Sequence, residues 1–268
     1  MPFKWLPDSD ARAFALEGAI LYTITMVQAI LLLILLLIPR PSLSFMSEDD
    51  IAGLQRATSG MSIGQRIAFW AEQFVGTPYD PDPLGQYVTE GVIVSDERVD
   101  CMYLTFRAAE LALSGTPEEA VEVALDKRFR DRGILRDGKV LNYDDRFQYA
   151  EDMLSSGKWG RNITGTLGET VEIEGSRGIE TVKVLPPALI PGAVPLLESG
   201  DIVYFVKKPE NRVVGEIVGH MGIIKREGRE AYLLHAGGKK NQGGGVKKVS
   251  LTDYARSMPF AGIMVSRF

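Results

Sequence analysis

Val99-Asp100-Cys101-Met102-Tyr103-Leu104 carries the one cysteine of the 268-residue chain, and an apolar, alanine-rich run follows it to Gly115. Cys101, Leu104, Ala108 and Leu111 share one helical face, so the spacing predicts a buried helix with Cys101 on its first turn. A helix start lowers a thiol pKa, because the positive end of the dipole favours the thiolate. The two histidines lie far downstream in apolar, strand-like runs: Gly219-His220-Met221-Gly222-Ile223-Ile224 and Tyr232-Leu233-Leu234-His235-Ala236. A cysteine ahead of two strand histidines is the order of a cysteine hydrolase. The same residues also read as a small buried hydrophobe and two core histidines.

Working outward to the N-terminus, Gly18 to Ile38 is an uninterrupted uncharged run. About 20 apolar residues span a bilayer core, and this run exceeds the apolar part of an ordinary signal peptide. It predicts a transmembrane anchor at 18–38, although Ser42-Leu43-Ser44 would also pass as a cleavage site. The prediction places 1–17 as a short cytoplasmic tail, 39–60 as a juxtamembrane linker and helix, and 61–268 as an exported domain. The roughly 220 residues after the anchor suit one large domain or a core with insertions. A net charge of −5 with pI near 5.3 gives no basic footprint for nucleic acid. One cysteine excludes an internal disulfide.

The elements follow from caps and periods. Ser47 with Asp50, and Ser62-Ile63-Gly64-Gln65, mark helix starts of the capping-box kind. Ile63, Ile67, Trp70 and Phe74 form an apolar stripe behind the second. Gly76-Thr77-Pro78-Tyr79 ends it, and a Pro- and Gly-rich loop leads to the cysteine. Thr116-Pro117-Glu118-Glu119 opens a helix to about Lys127. Asp137-Gly138 is a hairpin turn. Tyr143 to Ser156 reads as one helix closed by Gly157. Val171–Glu174 and Thr181–Val184 alternate as a hairpin, and 185–200 is a crossing loop. Four strands follow at 201–206, 221–225, 231–236 and 246–251, then a short helix near 251–256 and a last strand at 261–267. Helices first and an antiparallel meander after them is an α+β pattern.

Thiol hydrolysis of an amide needs a nucleophile, a base that becomes the acid, and a group that orients the base. Cys101, His220 and His235 suit these roles in that order. The Cys101 amide is a natural oxyanion donor. The Tyr79 hydroxyl is a second donor, or its ring is a lid on the loop. Cys101, His220 and His235 could instead hold zinc with one position open, but no local ligand spacing supports that. Lys239-Lys240 and Lys247-Lys248 flank Gly243 to Gly245, as a solvated loop or as a cationic contact for substrate carboxylates. Arg146 and Asp152 read equally as groove-lining and as capping residues.

Gly76-Thr77-Pro78-Tyr79, Asp100-Cys101, Ser199-Gly200-Asp201-Ile202-Val203, His220-Met221-Gly222-Ile223 and Leu234-His235-Ala236 succeed one another as in the NlpC-type cell-wall cysteine peptidases. The chain resembles most the branch of N-acetylmuramoyl-L-alanine amidases long classed as a domain of unknown function. Tyr143, Arg146, Phe147, Tyr149 and Asp152, then Thr164 and Leu167-Gly168, match its helical insertion. It departs at Gln148, where a histidine is expected, and at Met102-Tyr103, where small polar residues usually follow the cysteine. The resemblance implies a papain-like fold over residues 60–268, with the cysteine helix packed on an antiparallel sheet. It implies Cys101, His220 and His235 as catalytic residues, Tyr79, Asp100 and Arg146 as oxyanion or substrate contacts, and no metal or cofactor. The implied substrate is peptidoglycan or a muropeptide, cut at the amide between N-acetylmuramic acid and L-alanine through a thioester on Cys101. The alternatives are a γ-D-glutamyl-diamino-acid endopeptidase and an inactive, membrane-tethered glycopeptide-binding module.

Overall fold

Two serines open the helical half of the chain by the same device. Ser47 and Ser62 each accept an amide from the residue three positions on, and Asp50 and Gln65 return the bond to the serine backbone. They start α1 (Glu48–Thr58) and α2 (Ile63–Gln73). These elements come from a computed structural model, which describes residues 46–239 and 243–268. The predicted tail and anchor at 1–38 lie outside the described residues. Among the described residues, no helix is long and apolar enough to cross a membrane.

The helices that follow are α3 (Gln86–Thr89), α4 (Cys101–Leu113), α5 (Pro117–Lys127), α6 (Ala150–Ser155), α7 (Ile190–Ala193) and α8 (Leu251–Ser257). Thr116 caps α5 and Pro117 stands at its first turn, as its sequence predicts. Two expectations are corrected. Ile67, Trp70 and Phe74 are buried, but Ile63, at the first turn of α2, is exposed. The stretch 143–156 is not one helix. A 3-10 turn at Tyr143–Asp145 is followed by extended backbone at Arg146, and α6 begins only at Ala150. Phe129 pairs with Arg146 in an isolated bridge, and this tertiary contact overrides the local helical preference.

Ten strands complete the described chain. β1 (Leu135–Arg136) and β2 (Lys139–Val140) form a hairpin through Asp137-Gly138, both at positive φ. β4 (Val171–Glu174) and β5 (Thr181–Val184) form a second hairpin. The main sheet contains β3 (Arg161–Asn162), β6 (Ile202–Lys207), β7 (Val218–Glu227), β8 (Glu230–Lys239), β9 (Gly243–Ser250) and β10 (Phe260–Arg267). Its order is β3-β10-β6-β7-β8-β9, and every pairing is antiparallel. The fold is therefore α+β, with a helical layer beside an antiparallel meander.

Helix α4 is the centre of this arrangement. Every residue from Tyr103 to Ala112 is buried. It packs against α2 and α5 on one side and β7 and β8 on the other. Ala108, Ala109 and Ala112 keep its girth small enough for elements to approach on all sides. A helix apolar all round is a buried one. Its two charged residues are paired: Arg107 with Asp96 at 3.0 Å, and Glu110 with Arg128 at 2.6 Å.

Candidate active site

The first turn of α4 positions the thiol. Asp100 is the N-cap, and its Oδ1 accepts the Tyr103 amide at 2.6 Å. The Met102 amide lies near enough to favour its ionised form as well. The preceding chain is held by a short stitch. Tyr79 bridges in parallel to Val99, with Asp80 N–H donating to the Val99 carbonyl at 3.1 Å and Val99 N–H to the Pro78 carbonyl at 3.1 Å. On its other side the Tyr79 amide donates to the Gly244 carbonyl at 3.1 Å, which ties the stitch to β9.

The expectation of an acidified thiol is reversed. Burial, and then the Asp100 carboxylate beside it, push Cys101 up to about 12. The Met221, Cys101 and Met102 amides donate toward the sulfur and act in the opposite direction, but they do not outweigh burial. The Met221 contact brings the sulfur to β7, at the residue after His220. Asp100 is itself raised to about 6, mainly by burial, with the Asp80 carboxylate adding to it.

His220 stands just past an irregularity in β7. Phe205 faces His220, whereas Val206 faces Val218, so Gly219 is the extra residue of a bulge. A bulge re-aims the neighbouring side chain. The register of β7 with β8 runs from Glu227↔Glu230 to Ile223↔Leu234, and both histidines lie past its open end. There His220 Nε2 is 2.9 Å from His235 Nδ1, with the rings nearly perpendicular at 89°. Burial pushes His220 down to about 3, and the neighbouring His235 adds to this. Burial, with the Lys247 ammonium, pushes His235 down to about 4. At neutral pH the trio is therefore a thiol and two uncharged imidazoles.

The histidines open onto a cleft of about 650 Å³ whose wall includes Tyr79, His220, His235, Tyr254, Phe260 and Lys247. Gly219, Gly237, Gly238, Gly243 and Gly244 supply much of the remaining surface. At Gly238 the absence of a side chain is required, since a Cβ would lie 2.6 Å from the Tyr79 ring. Tyr79 is raised to about 12, first by burial and then by Cys101, so its hydroxyl stays protonated as a donor. Cys101 is half-buried and is not part of the described lining. Arg146 does not line the cleft either; its guanidinium donates to the Tyr143 carbonyl at 2.9 Å and closes the 3-10 turn. Asp152 pairs with Arg177 at 2.8 Å. Among the described residues no group of three or more His, Cys, Asp or Glu is placed to hold a metal ion.

Two residues at the site had no distinguishing local signal. Tyr254 on α8 packs on both imidazoles, with ring centroids 4.7 Å from His235 and 5.9 Å from His220. Its hydroxyl is raised above the usual tyrosine range by burial and by Cys101. Glu151 on α6 is buried and accepts the Ile217 and Val218 amides at 3.0 and 3.2 Å. It thereby fixes the start of β7, two residues before His220.

No protein-family model matches the chain, and no curated protein matches it in sequence. Solved structures do match in fold. An N-acetylmuramoyl-L-alanine amidase from Bacteroides uniformis superposes with a TM-score of 0.60 at 20% identity, over 76% of this chain and 98% of that one. A Legionella pneumophila protein of the DUF1460 family model gives 0.62 at 18% identity, over 81% and 93%. A Bacteroides fragilis protein named for a xylanase gives 0.58 at 22% identity, over 75% and 100%. At these identities the likeness is one of fold.

Proposed function

We propose that this chain is a cysteine amidase on an NlpC-type, papain-like scaffold, hydrolysing the amide between N-acetylmuramic acid and L-alanine in peptidoglycan or muropeptides. The observation that carries the reading is the His220–His235 hydrogen bond at 2.9 Å beside the first turn of the cysteine helix, opening on a solvent cleft. The amidase name of a fold neighbour supports the choice of bond.

The tautomers follow from the base role. His220 can accept a proton at Nδ1 only if its Nε2 carries one, so Nε2–H donates to His235 Nδ1 and His235 keeps its own proton on Nε2. The resting thiol passes its proton to His220 Nδ1 as sulfur attacks the lactyl carbonyl. The Cys101 amide and the Tyr79 hydroxyl stabilise the oxyanion. The imidazolium then protonates the alanine nitrogen, the C–N bond breaks, and a muramoyl thioester remains on Cys101. Water, deprotonated by His220, releases the acid and restores the thiol. Asp100 spends its carboxylate on the helix start, which disfavours pairing with a free α-amine of an endopeptidase substrate.

The test is mass spectrometry of muropeptides incubated with the full chain. Free N-acetylmuramic acid, alone or still linked to its neighbouring sugar, and an intact alanyl peptide are expected, with turnover abolished in Cys101→Ala. Cleavage after D-Glu that leaves muramoyl-alanine whole would sink the amidase assignment. In the same reading the run 18–38 anchors the chain with its catalytic domain outside the cytoplasm. Alkaline carbonate extraction should leave the uncut protein in the membrane pellet, and its release would remove the anchor.

A further inference from the structure

Strand β9 carries two adjacent lysines, and the pleat sends them to different surroundings. Lys248 is tied to Glu72 at 3.1 Å and to Glu227. Lys225, nearby on β7, also pairs with Glu72 at 3.1 Å. Lys247 stands opposite His235 in the β8–β9 register and lines the histidine cleft. Its ammonium has no carboxylate partner among the described residues, and no carboxylate is part of the described lining. With both imidazoles neutral, Lys247 is the one permanent charge of that lining at neutral pH.

We infer that Lys247 reads a substrate carboxylate about two residues past the scissile bond, and so selects acidic over amidated peptides. The inference rests on the amidase reading. In a stem peptide whose second residue is γ-linked D-Glu, the α-carboxylate remains free at that place. The distance is suitable. Two extended residues advance roughly 7 Å, and adjacent strands lie about 5 Å apart, a gap that a lysine side chain readily covers. The carboxylate would neutralise a cation that opposes protonation of His235, and so of its partner His220, in the step that forms the imidazolium. Lys248, already paired twice, has no such role.

The probe is a pair of N-acetylmuramoyl-L-alanyl-D-glutamate γ-methylamides, one with a free α-carboxylate and one with an α-carboxamide. Calorimetry on the full chain carrying Cys101→Ala measures binding without turnover. The carboxylate compound should bind roughly 3- to 10-fold more tightly at low salt, with the margin shrinking as ionic strength rises. Lys247→Met in that background should erase the margin, and Lys247→Arg should keep it. A margin that survives Lys247→Met overturns the inference, as does its absence in the parent or failure of both compounds to bind. Turnover of either compound by the chain with Cys101 intact reads the amidase assignment separately.

Discussion

At the scale of residues, the site is governed by what burial does to charge. The two imidazoles are held neutral because desolvation penalises the imidazolium. Their protonation is consequently linked to stability. His220 has a folded pKa of about 3 against an ordinary 6.5, so the unfolded chain binds more protons between those values. Stability from this group is complete above about 6.5 and is lost as pH falls toward about 3. His235 has the same sign, down to about 4. We predict that denaturant unfolding of the wild type loses about 2–3 kcal/mol more between pH 7 and 4.5 than His220→Gln does. Carboxylates titrate in both proteins and cancel in the difference. Parallel pH slopes would show that His220 is not buried neutral. Cys101 runs the other way: with its folded pKa raised to about 12, its contribution is complete below the ordinary thiol value and fades as pH rises through 12.

At the scale of elements, the site depends on where β7 begins. Glu151 accepts two amides there and also receives Arg177 at 2.8 Å. Arg177 in turn stacks on the Tyr149 ring at 3.5 Å, so α6, the turn before β5 and the start of β7 are held by one carboxylate. Glu151→Ala would leave two buried N–H groups unpaired and take from Arg177 one of its two carboxylates, leaving it Asp152. A loss of about 2–4 kcal/mol in urea unfolding is expected, together with lower turnover at saturating substrate, since His220 sits two residues on. Glu151→Gln should recover part of both, because its carbonyl oxygen can accept one amide. Unchanged turnover in a Glu151→Ala protein that stays folded would show that the strand start does not set the proposed role of His220.

At the scale of the whole molecule, the helical layer is closed around one buried ion pair. Arg128, the C-cap of α5, makes two parallel bonds to Glu110 of α4 at 2.6 and 2.7 Å and a third to the Ile93 carbonyl at 2.8 Å. Its guanidinium lies near the rings of Tyr87, Tyr103 and Phe106. Such a pair adds little against an apolar replacement, yet removing one partner strands a charge. Glu110→Ala is therefore expected to cost about 3–5 kcal/mol in chemical denaturation, and Glu110→Leu with Arg128→Met to cost much less. Equal losses in both proteins would mean that packing, and not the stranded guanidinium, sets the penalty.

What the sequence determined by itself was local in origin. Ser47, Ser62 and Thr116 announced their helices because a cap is satisfied within four residues. Asp137-Gly138 announced its turn because positive φ is a property of single residues. The meander from Ile202 to Ser250 was visible in its succession of short apolar runs, and Cys101 at a helix start in its 3.6-residue period. Only the tertiary structure decided the rest. The 143–156 stretch breaks because Arg146 pairs with Phe129 across the fold. The two-residue strand β3 is too short to have a period. The meeting of His220 and His235 needed the β7 bulge and the parting of two strands, and Tyr254 and Glu151 join them from elements remote in sequence. The thiol itself illustrates the difference most plainly. Its helix dipole is a local property and favours the thiolate, whereas the burial and the Asp100 charge that outweigh it exist only once the chain has closed around α4.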